Sequence, residues 1–209
     1  MILRTIETEA DLAEGAAFLA LAEPRFAPVL DLTGPLPLRR RPDGFAALLD
    51  MIVSQQVSTA SAAAIHGRLA AAGFDRAERV AGAAPEELAA CGLSRPKIAY
   101  LRAIAAAAPD YDSLRVLPDA EVAATLTALM GVGRWTADLY LLSALGRADV
   151  FPSGDLALQE AARHLFDLPQ RPGVTEMDAI AAPWQPWRAV AARALWAYYR
   201  HIKGREGTR

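Results

Sequence analysis

Cysteine is almost absent: Cys91 is the single one in 209 residues. No disulfide can close within the chain, and no thiolate set for zinc or an iron–sulfur cluster can be assembled. A lone thiol fits a reducing compartment, so a cytoplasmic location is expected. Histidine is scarce too, with three in all, and His66 lies far from the other two and is given no role. Valine and isoleucine never gather into strand-like runs, which leaves little material for a sheet. No stretch nears the roughly 18 uninterrupted apolar residues of a membrane span. The opening, Met1 to Glu9, carries acids where a signal peptide would carry an apolar core. A soluble, intracellular chain with no membrane partner is therefore expected. Positive charge is not in excess: 22 Lys and Arg stand against 24 Asp and Glu, a net charge of −2. That excludes a protein that coats a polyanion by bulk charge, though not one with a compact anion site.

What the chain does have is alanine and a helical rhythm. Apolar residues make up 53% and charged residues 22%, enough for a sizeable core. Helices are predicted over 10–22, from Gly44 along the run 45–58, over 60–72 behind Ser58 or Thr59 as cap, and between Pro85 and Cys91. Others follow from Ser94 to Pro109, over 119–130 with Asp119 as cap, over 134–145, over 155–166, over 175–182 and over 186–202. Leu36 to Asp43 and 147–154 are loops. The sum is an all-α fold of about ten helices. Basic residues concentrate at the end, where Arg188, Arg193, Arg200, Lys203, Arg205 and Arg209 face one acid, Glu206; a solvated helix face accounts for them as well as a binding surface does.

Two short segments carry chemical information. In Leu129-Met130-Gly131-Val132-Gly133-Arg134-Trp135-Thr136-Ala137 a pair of helices is joined by two glycines. Glycine permits a tight turn with positive φ and leaves backbone N–H groups uncovered at the start of the next helix. A phosphate can dock there without any lysine. The bland alternative is a plain αα-corner. In Phe151-Pro152-Ser153-Gly154-Asp155-Leu156-Ala157-Leu158 an acid stands at the mouth of a helix. Taken alone, Asp155 is an N-cap that stabilises its helix by about 1 kcal/mol. A carboxylate fixed there can also stabilise a sugar that turns into an oxocarbenium ion.

Together these residues resemble the helix-hairpin-helix glycosylase superfamily and, within it, the DNA-3-methyladenine glycosylase II family. The hairpin matches over Leu129 to Ala137 and the glycine-to-aspartate segment over Asp149 to Asp155. Ile52-Val53-Ser54-Gln55-Gln56-Val57-Ser58 is similar to the family's buried helix that meets the DNA minor groove. Trp184-Gln185-Pro186-Trp187-Arg188 with Leu195-Trp196 is similar to its C-terminal helix, and Gly92-Leu93-Ser94 with Lys97 and Leu101 is family-like as well. The likeness runs from about Phe45 to Ile202.

The resemblance implies two helical lobes flanking a cleft: a discontinuous lobe, 1–42 plus 147–209, carrying the catalytic acid, and a helical-bundle lobe, 43–146, ending in the hairpin. It implies no N-terminal β domain. Asp155 would be the catalytic aspartate of a monofunctional glycosylase that flips alkylated purines out of double-stranded DNA and hydrolyses them off. The bases would be 3-methyladenine and also 7-methylguanine, released in base excision repair. Gly131, Val132, Gly133, Arg134 and Thr136 would hold a phosphate, with a monovalent cation able to share the hairpin. Gln55, Gln56 and Ser58 would meet the DNA, with Gln56 as a polar wedge in the gap. Trp135 stands where lyase relatives carry a nucleophilic lysine, which implies hydrolysis by water and no strand cleavage. Trp135 and Trp196 would face the flipped base, whose positive charge an indole attracts by about 0.5–2 kcal/mol. Leu139 stands where some relatives have a pocket tyrosine, with Tyr140 next to it, so the stacking partner is open. Ser153 replaces the hydrophobic or proline residue often found before the glycine. No cofactor is implied, and a monomer is expected. The competing expectations are a catalytically silent helix-hairpin-helix DNA-binding protein, a mismatch or oxidised-base glycosylase, and a structural bundle with chance glycines.

Overall fold

The computed structural model describes residues 4–206, with side chains through Gly204. Arg209 of the basic tail lies outside the described residues. Among the described residues there is no strand, and an isolated antiparallel bridge joins Thr5 to Arg147. None of the described helices is long and apolar enough to cross a membrane. Among the described residues thirteen α-helices follow in order: α1 Glu9–Ala22, α2 Phe26–Thr33, α3 Phe45–Ser54, α4 Thr59–Ala71, α5 Ala77–Gly82, α6 Pro85–Ala90, α7 Arg95–Ala107, α8 Tyr111–Leu114, α9 Asp119–Thr127, α10 Arg134–Leu139, α11 Leu156–Leu165, α12 Val174–Ala181 and α13 Arg188–Glu206. A π-helical turn, Tyr140–Ala144, follows α10, and a 3₁₀ turn, Ala182–Trp184, follows α12.

Several boundaries depart from the sequence expectations, each for a local reason. Helix α2 is not predicted because Pro28 interrupts its pattern; the proline falls in the first turn, where an N–H needs no intrahelical acceptor. The single turn α8 is held by the Asp110 side chain, which accepts from Ser113 N at 3.2 Å. Asp119 is not a cap but the first residue of α9, behind Pro118. Helix α9 stops at Thr127, short of Met130, and α13 starts at Arg188, not at Pro186. The stretch after Arg134 is not one α-helix through Leu145. It widens at Tyr140 into the π-turn, whose carbonyls are taken by guanidinium groups. Arg40 Nη1 donates to Ala144 O at 2.8 Å, and Arg193 Nη2 to Leu142 O at 3.4 Å.

The chain divides into two compact units, residues 1–40 with 141–209, and residues 41–140. The division falls after Tyr140 and not after Gly146, because the π-turn packs with the first unit: Leu142 belongs to its core. That core gathers around Trp184, met edge-on by Phe26 and Phe151 at 5.1 and 5.5 Å and stacked on Phe166 at 6.1 Å. Alanine lets α13 come close to its neighbours: Ala189, Ala191, Ala192 and Ala194 are all fully buried. Gly15 of α1 is needed for the same reason, since a Cβ there would lie 2.6 Å from Val190. Arg193 is buried in this core and satisfied by carbonyls, with Nη1 on Ala189 O at 2.9 Å and Nη2 on Leu38 O at 3.2 Å. Burial, with Arg39 and Arg40 nearby, pulls its pKa down to about 10, so it remains a cation at neutral pH.

In the second unit α3 is the central element, contacting α4, α7 and α10. Its Leu48, Ile52 and Val53 are fully buried, as are Leu69, Leu88, Leu101, Ile104, Val122 and Leu126 around it. Ser58 caps α4 by accepting from Ser61 N at 3.1 Å.

Candidate functional site

In the first unit the loop before α11 sets the geometry of Asp155. The backbone turns at Phe151–Asp155, where Ser153 N donates to Phe151 O and Asp155 N to Pro152 O, both at 2.9 Å. Ser153 is fully buried. Its hydroxyl donates to Asp178 of α12 in a short hydrogen bond, and its carbonyl accepts from Gln159 Nε2 at 2.9 Å. A hydrophobic residue could not make the hydroxyl bond to Asp178, which gives the departure at Ser153 a structural sense. The loop's other end is tied to α13, where Arg188 Nε meets Asp149 Oδ1 at 2.7 Å and Nη2 meets Oδ2 at 3.1 Å.

Asp155 is the N-cap of α11, as its sequence position predicts. One oxygen, Oδ1, accepts from Ala157 N at 2.9 Å, Leu158 N at 3.1 Å and Trp196 Nε1 at 3.2 Å. The two amides are expected of any cap. The indole is not, because Trp196 comes from α13. The structure thus brings Asp155 and Trp196 together, and both are half-buried beside the exposed Gly154. A carboxylate fixed by three N–H donors keeps one orientation, which is what electrostatic stabilisation of a developing cation requires.

In the second unit the turn between α9 and α10 has the form expected of it. Gly131 has φ +85° and lies under the ring of Tyr100: a Cβ there would be 2.3 Å from the ring Cγ. Gly133 is extended and exposed, and a Cβ on it would meet nothing within 4 Å. Val132 is buried, and its N–H is spent on Leu129 O at 3.1 Å. The first bond of α10 runs from Ala137 N to Gly133 O at 3.0 Å. The amides from Gly133 to Thr136 therefore point along the axis and out of the helix end. Arg134 is exposed beside Asp138, Nε to Oδ2 at 3.6 Å. Thr136 is buried at 2% exposure, and its hydroxyl accepts from Gln55 Nε2 at 3.2 Å. The carbonyls of Leu129 and Gly131 accept from Val132 N and Gln55 Nε2 and each keeps a second lone pair, so these oxygens suit a hard monovalent cation. Among the described residues no cluster of His, Cys, Asp and Glu suits a metal ion.

Trp135 and Leu139 are half-buried and lie one turn apart on the same face of α10. Tyr140 is fully buried, and its hydroxyl accepts from Gly44 N at 2.9 Å. Burial pushes its pKa up to about 12. It belongs to the core and offers no ring for stacking, which leaves Leu139 as the residue of that pair on the accessible side.

At the end of α3 the two glutamines part company. Gln55 turns to the hairpin, its amide reaching Thr136 and, at 3.5 Å, Gly131 O. Gln56 is exposed with φ +55°, a left-handed conformation unusual for a side-chain-bearing residue. Lys97 from α7 donates to Val53 O at 2.8 Å and to Gln55 O at 2.7 Å. Burial holds the Lys97 ammonium below the usual lysine range. A groove of about 430 Å³ opens here, with Gln55, Gln56, Ser94, Lys97 and Tyr100 in its wall. The sequence marks Lys97 only as part of a resemblance; its contact with α3 depends on how two helices cross.

Known proteins resemble this chain over most of its length. Residues 49–186 match the HhH-GPD superfamily base excision DNA repair proteins. The alkylbase DNA glycosidase-like protein mag2 of Schizosaccharomyces pombe is 26% identical over 94% of this chain and 98% of its own length. DNA-3-methyladenine glycosylase 1 of the same organism is 31% identical over 73% of this chain and 71% of its own. The solved structure of the S. pombe 3-methyladenine DNA glycosylase Mag1 in complex with abasic DNA superposes with a TM-score of 0.80 at 27% identity, covering 88% of this chain and 95% of that one. A family match over most of the chain, a shared all-α fold and a helix-mouth aspartate downstream of a glycine hairpin lead to one conclusion: this chain belongs to the HhH-GPD superfamily of base excision DNA repair proteins, among the relatives of the DNA-3-methyladenine glycosylases.

Proposed function

We propose that the chain is a monofunctional DNA glycosylase that hydrolyses the N-glycosidic bond of alkylated purines, 3-methyladenine first and 7-methylguanine with it. The observation that carries this is Asp155 Oδ1, held at the mouth of α11 by two backbone amides and the Trp196 indole. Alkylation makes the purine a cationic leaving group. As the bond to C1′ lengthens, its electron pair goes to the base and positive charge gathers on the sugar. The fixed carboxylate of Asp155 stabilises that charge and orients the water that adds to C1′; the water's proton passes to the carboxylate or to solvent. The hairpin offers the amides at the start of α10, from Gly133 on, to a backbone phosphate of double-stranded DNA, with Arg134 beside it and Val132 packed inside the turn. A monovalent cation on the Leu129 and Gly131 carbonyls would add positive charge beneath that phosphate. Gln56 enters the gap left when the damaged nucleotide is flipped. Trp196, beside Asp155, receives the base, the chain acting as a monomer on one site.

An indole at position 135 cannot form a Schiff base, which leaves that place without an amine nucleophile and supports hydrolysis by water. Incubation with a methylated duplex is expected to yield free methylated purine and alkali-labile abasic sites, with no strand breaks before alkali and no protein–DNA adduct after borohydride. Nicks or a trapped adduct would sink the monofunctional assignment. No released base, despite tight binding, would favour the silent DNA-binding alternative.

Trp196 has a separable second role. Trp196→Phe keeps an aromatic face but removes the N–H donated to Asp155. A hydrogen bond to a charged group contributes about 1.5–3 kcal/mol, so single-turnover base release should fall about tenfold or more. An unchanged rate would mean that the indole N–H plays no part in fixing the carboxylate.

A further inference from the structure

Helix α7 carries two residues one turn apart that hold two different pieces of the candidate DNA surface. Lys97 Nζ donates to Val53 O at 2.8 Å and to Gln55 O at 2.7 Å. These carbonyls close the C-terminal end of α3, where the helix dipole is negative and an ammonium is favoured. Tyr100 lies on the hairpin, its ring occupying the space where Gly131 would carry a Cβ. Gln55 closes the third side, its amide on Gly131 O and Thr136 Oγ1. Helix α7, the turn after α3 and the hairpin thus form a closed bracket within the second unit.

Gln56 stands at the free corner of this bracket. Its φ of +55° costs a side-chain-bearing residue about 1–2 kcal/mol, and such a conformation persists only where its flanks over-determine it. The flank on its N-terminal side is Gln55, whose carbonyl is held by Lys97 and whose side chain is held by the hairpin. A lysine that served the DNA directly would keep its ammonium for a phosphate; Lys97 turns two of its three N–H donors to backbone carbonyls.

We propose that Lys97 is a positioning residue: with Gln55 as strut, it holds the left-handed Gln56 turn at a fixed spacing from the hairpin, so that the wedge is already formed when the hairpin takes its phosphate. The proposal rests on the reading of Gln56 as the wedge. It follows that Lys97 affects base flipping and leaves the electrostatics of DNA binding alone.

The test compares Lys97→Met, Gln55→Ala and Gln56→Ala on a duplex carrying one methylated adenine, either paired or opposite an abasic site. Lys97→Met should bind undamaged duplex within about twofold of wild type, with the same salt dependence. Its single-turnover release from the paired site should fall about tenfold, the cost of an unassisted unpairing. Release opposite the abasic site, where no pair must be broken, should return to near the wild-type rate. Gln55→Ala, which keeps the carbonyl that Lys97 uses, should show the same selective loss. In an Asp155→Asn background, 2-aminopurine beside the lesion should brighten on binding with Lys97 present and stay dark in Lys97→Met. Equal losses on both substrates, or a shallower salt dependence in Lys97→Met, would overturn the proposal in favour of general damage or a direct phosphate contact. A slow Gln56→Ala beside a fast Lys97→Met overturns the bracket alone. A Gln56→Ala protein that matches wild type overturns wedge and bracket together.

Discussion

Asp155→Asn is expected to lower the single-turnover rate of base release by a factor of about 10² to 10³ while leaving the fold intact. The two halves of that expectation come from one geometry. Asparagine is as good an N-cap as aspartate, and its amide oxygen can accept the same bonds from Ala157 N, Leu158 N and Trp196 Nε1. What the substitution removes is the negative charge. Helix α11 loses only its favourable term with the helix dipole, about 0.3–1 kcal/mol, so the melting temperature should hardly move. The sugar cation loses the one fixed anion assigned to it, so the chemical step should slow by about 3–4 kcal/mol of barrier. Affinity for undamaged duplex should hold or rise slightly, since a carboxylate near phosphates is repelled by them. Melting temperature, duplex affinity and single-turnover rate measured on one preparation separate the two roles. If melting temperature and rate both stay at wild-type values, Asp155 is a helix cap and the proposed chemistry has no acid to carry it.

That double role marks the limit of what the residues say before folding. The cap is legible because capping is local: an acid after Pro152, Ser153 and Gly154, then an apolar helix. Ser58 before α4 and Gly73 after it are legible for the same reason. The bond from Trp196 to Asp155 is not, since 41 residues separate them and only the crossing of α13 over α11 joins them. Lys97 is a similar case: its ammonium finds the end of α3 because α7 packs on α3, and a lysine among alanines on a helix otherwise reads as solvated. The π-turn at Tyr140–Ala144 is hidden more deeply. Its sequence continues a good apolar helix, and the wider turn is stabilised by Arg40 and Arg193, which come from distant segments to take its carbonyls. Local chemistry was enough to place the hairpin and the acid along the chain. It could not say that Gln55 turns inward to the hairpin while Gln56 turns outward, because that depends on a left-handed backbone at one residue.

The hairpin glycines give the second large effect, and their contrast tells more than either alone. Gly131→Ala places a methyl 2.3 Å from Tyr100 Cγ on a backbone with φ +85°. The left-handed conformation costs about 1–2 kcal/mol and the overpacking about 1–3 kcal/mol more. A loss of about 2–5 kcal/mol is a large share of the stability of a domain this size, so denaturant or thermal unfolding should register it plainly. The hairpin must move away from Tyr100 to accept the methyl, and duplex affinity should fall with it. Gly133→Ala should behave in the opposite way. Its backbone is extended and a Cβ there meets nothing within 4 Å, so stability should stay within about 1 kcal/mol of wild type or rise, as the unfolded chain becomes less free. The methyl instead stands on the exposed surface where the amides of the α10 end emerge, in the space a phosphate would approach. Duplex affinity should drop about tenfold in a protein that melts like wild type, a loss of one good charge-assisted hydrogen bond. Fluorescence anisotropy with a labelled duplex, alongside a melting curve, reads both variants. A Gly133→Ala protein that binds as tightly as wild type would leave Gly131 as the only glycine the hairpin needs, with the turn serving the fold and not the DNA.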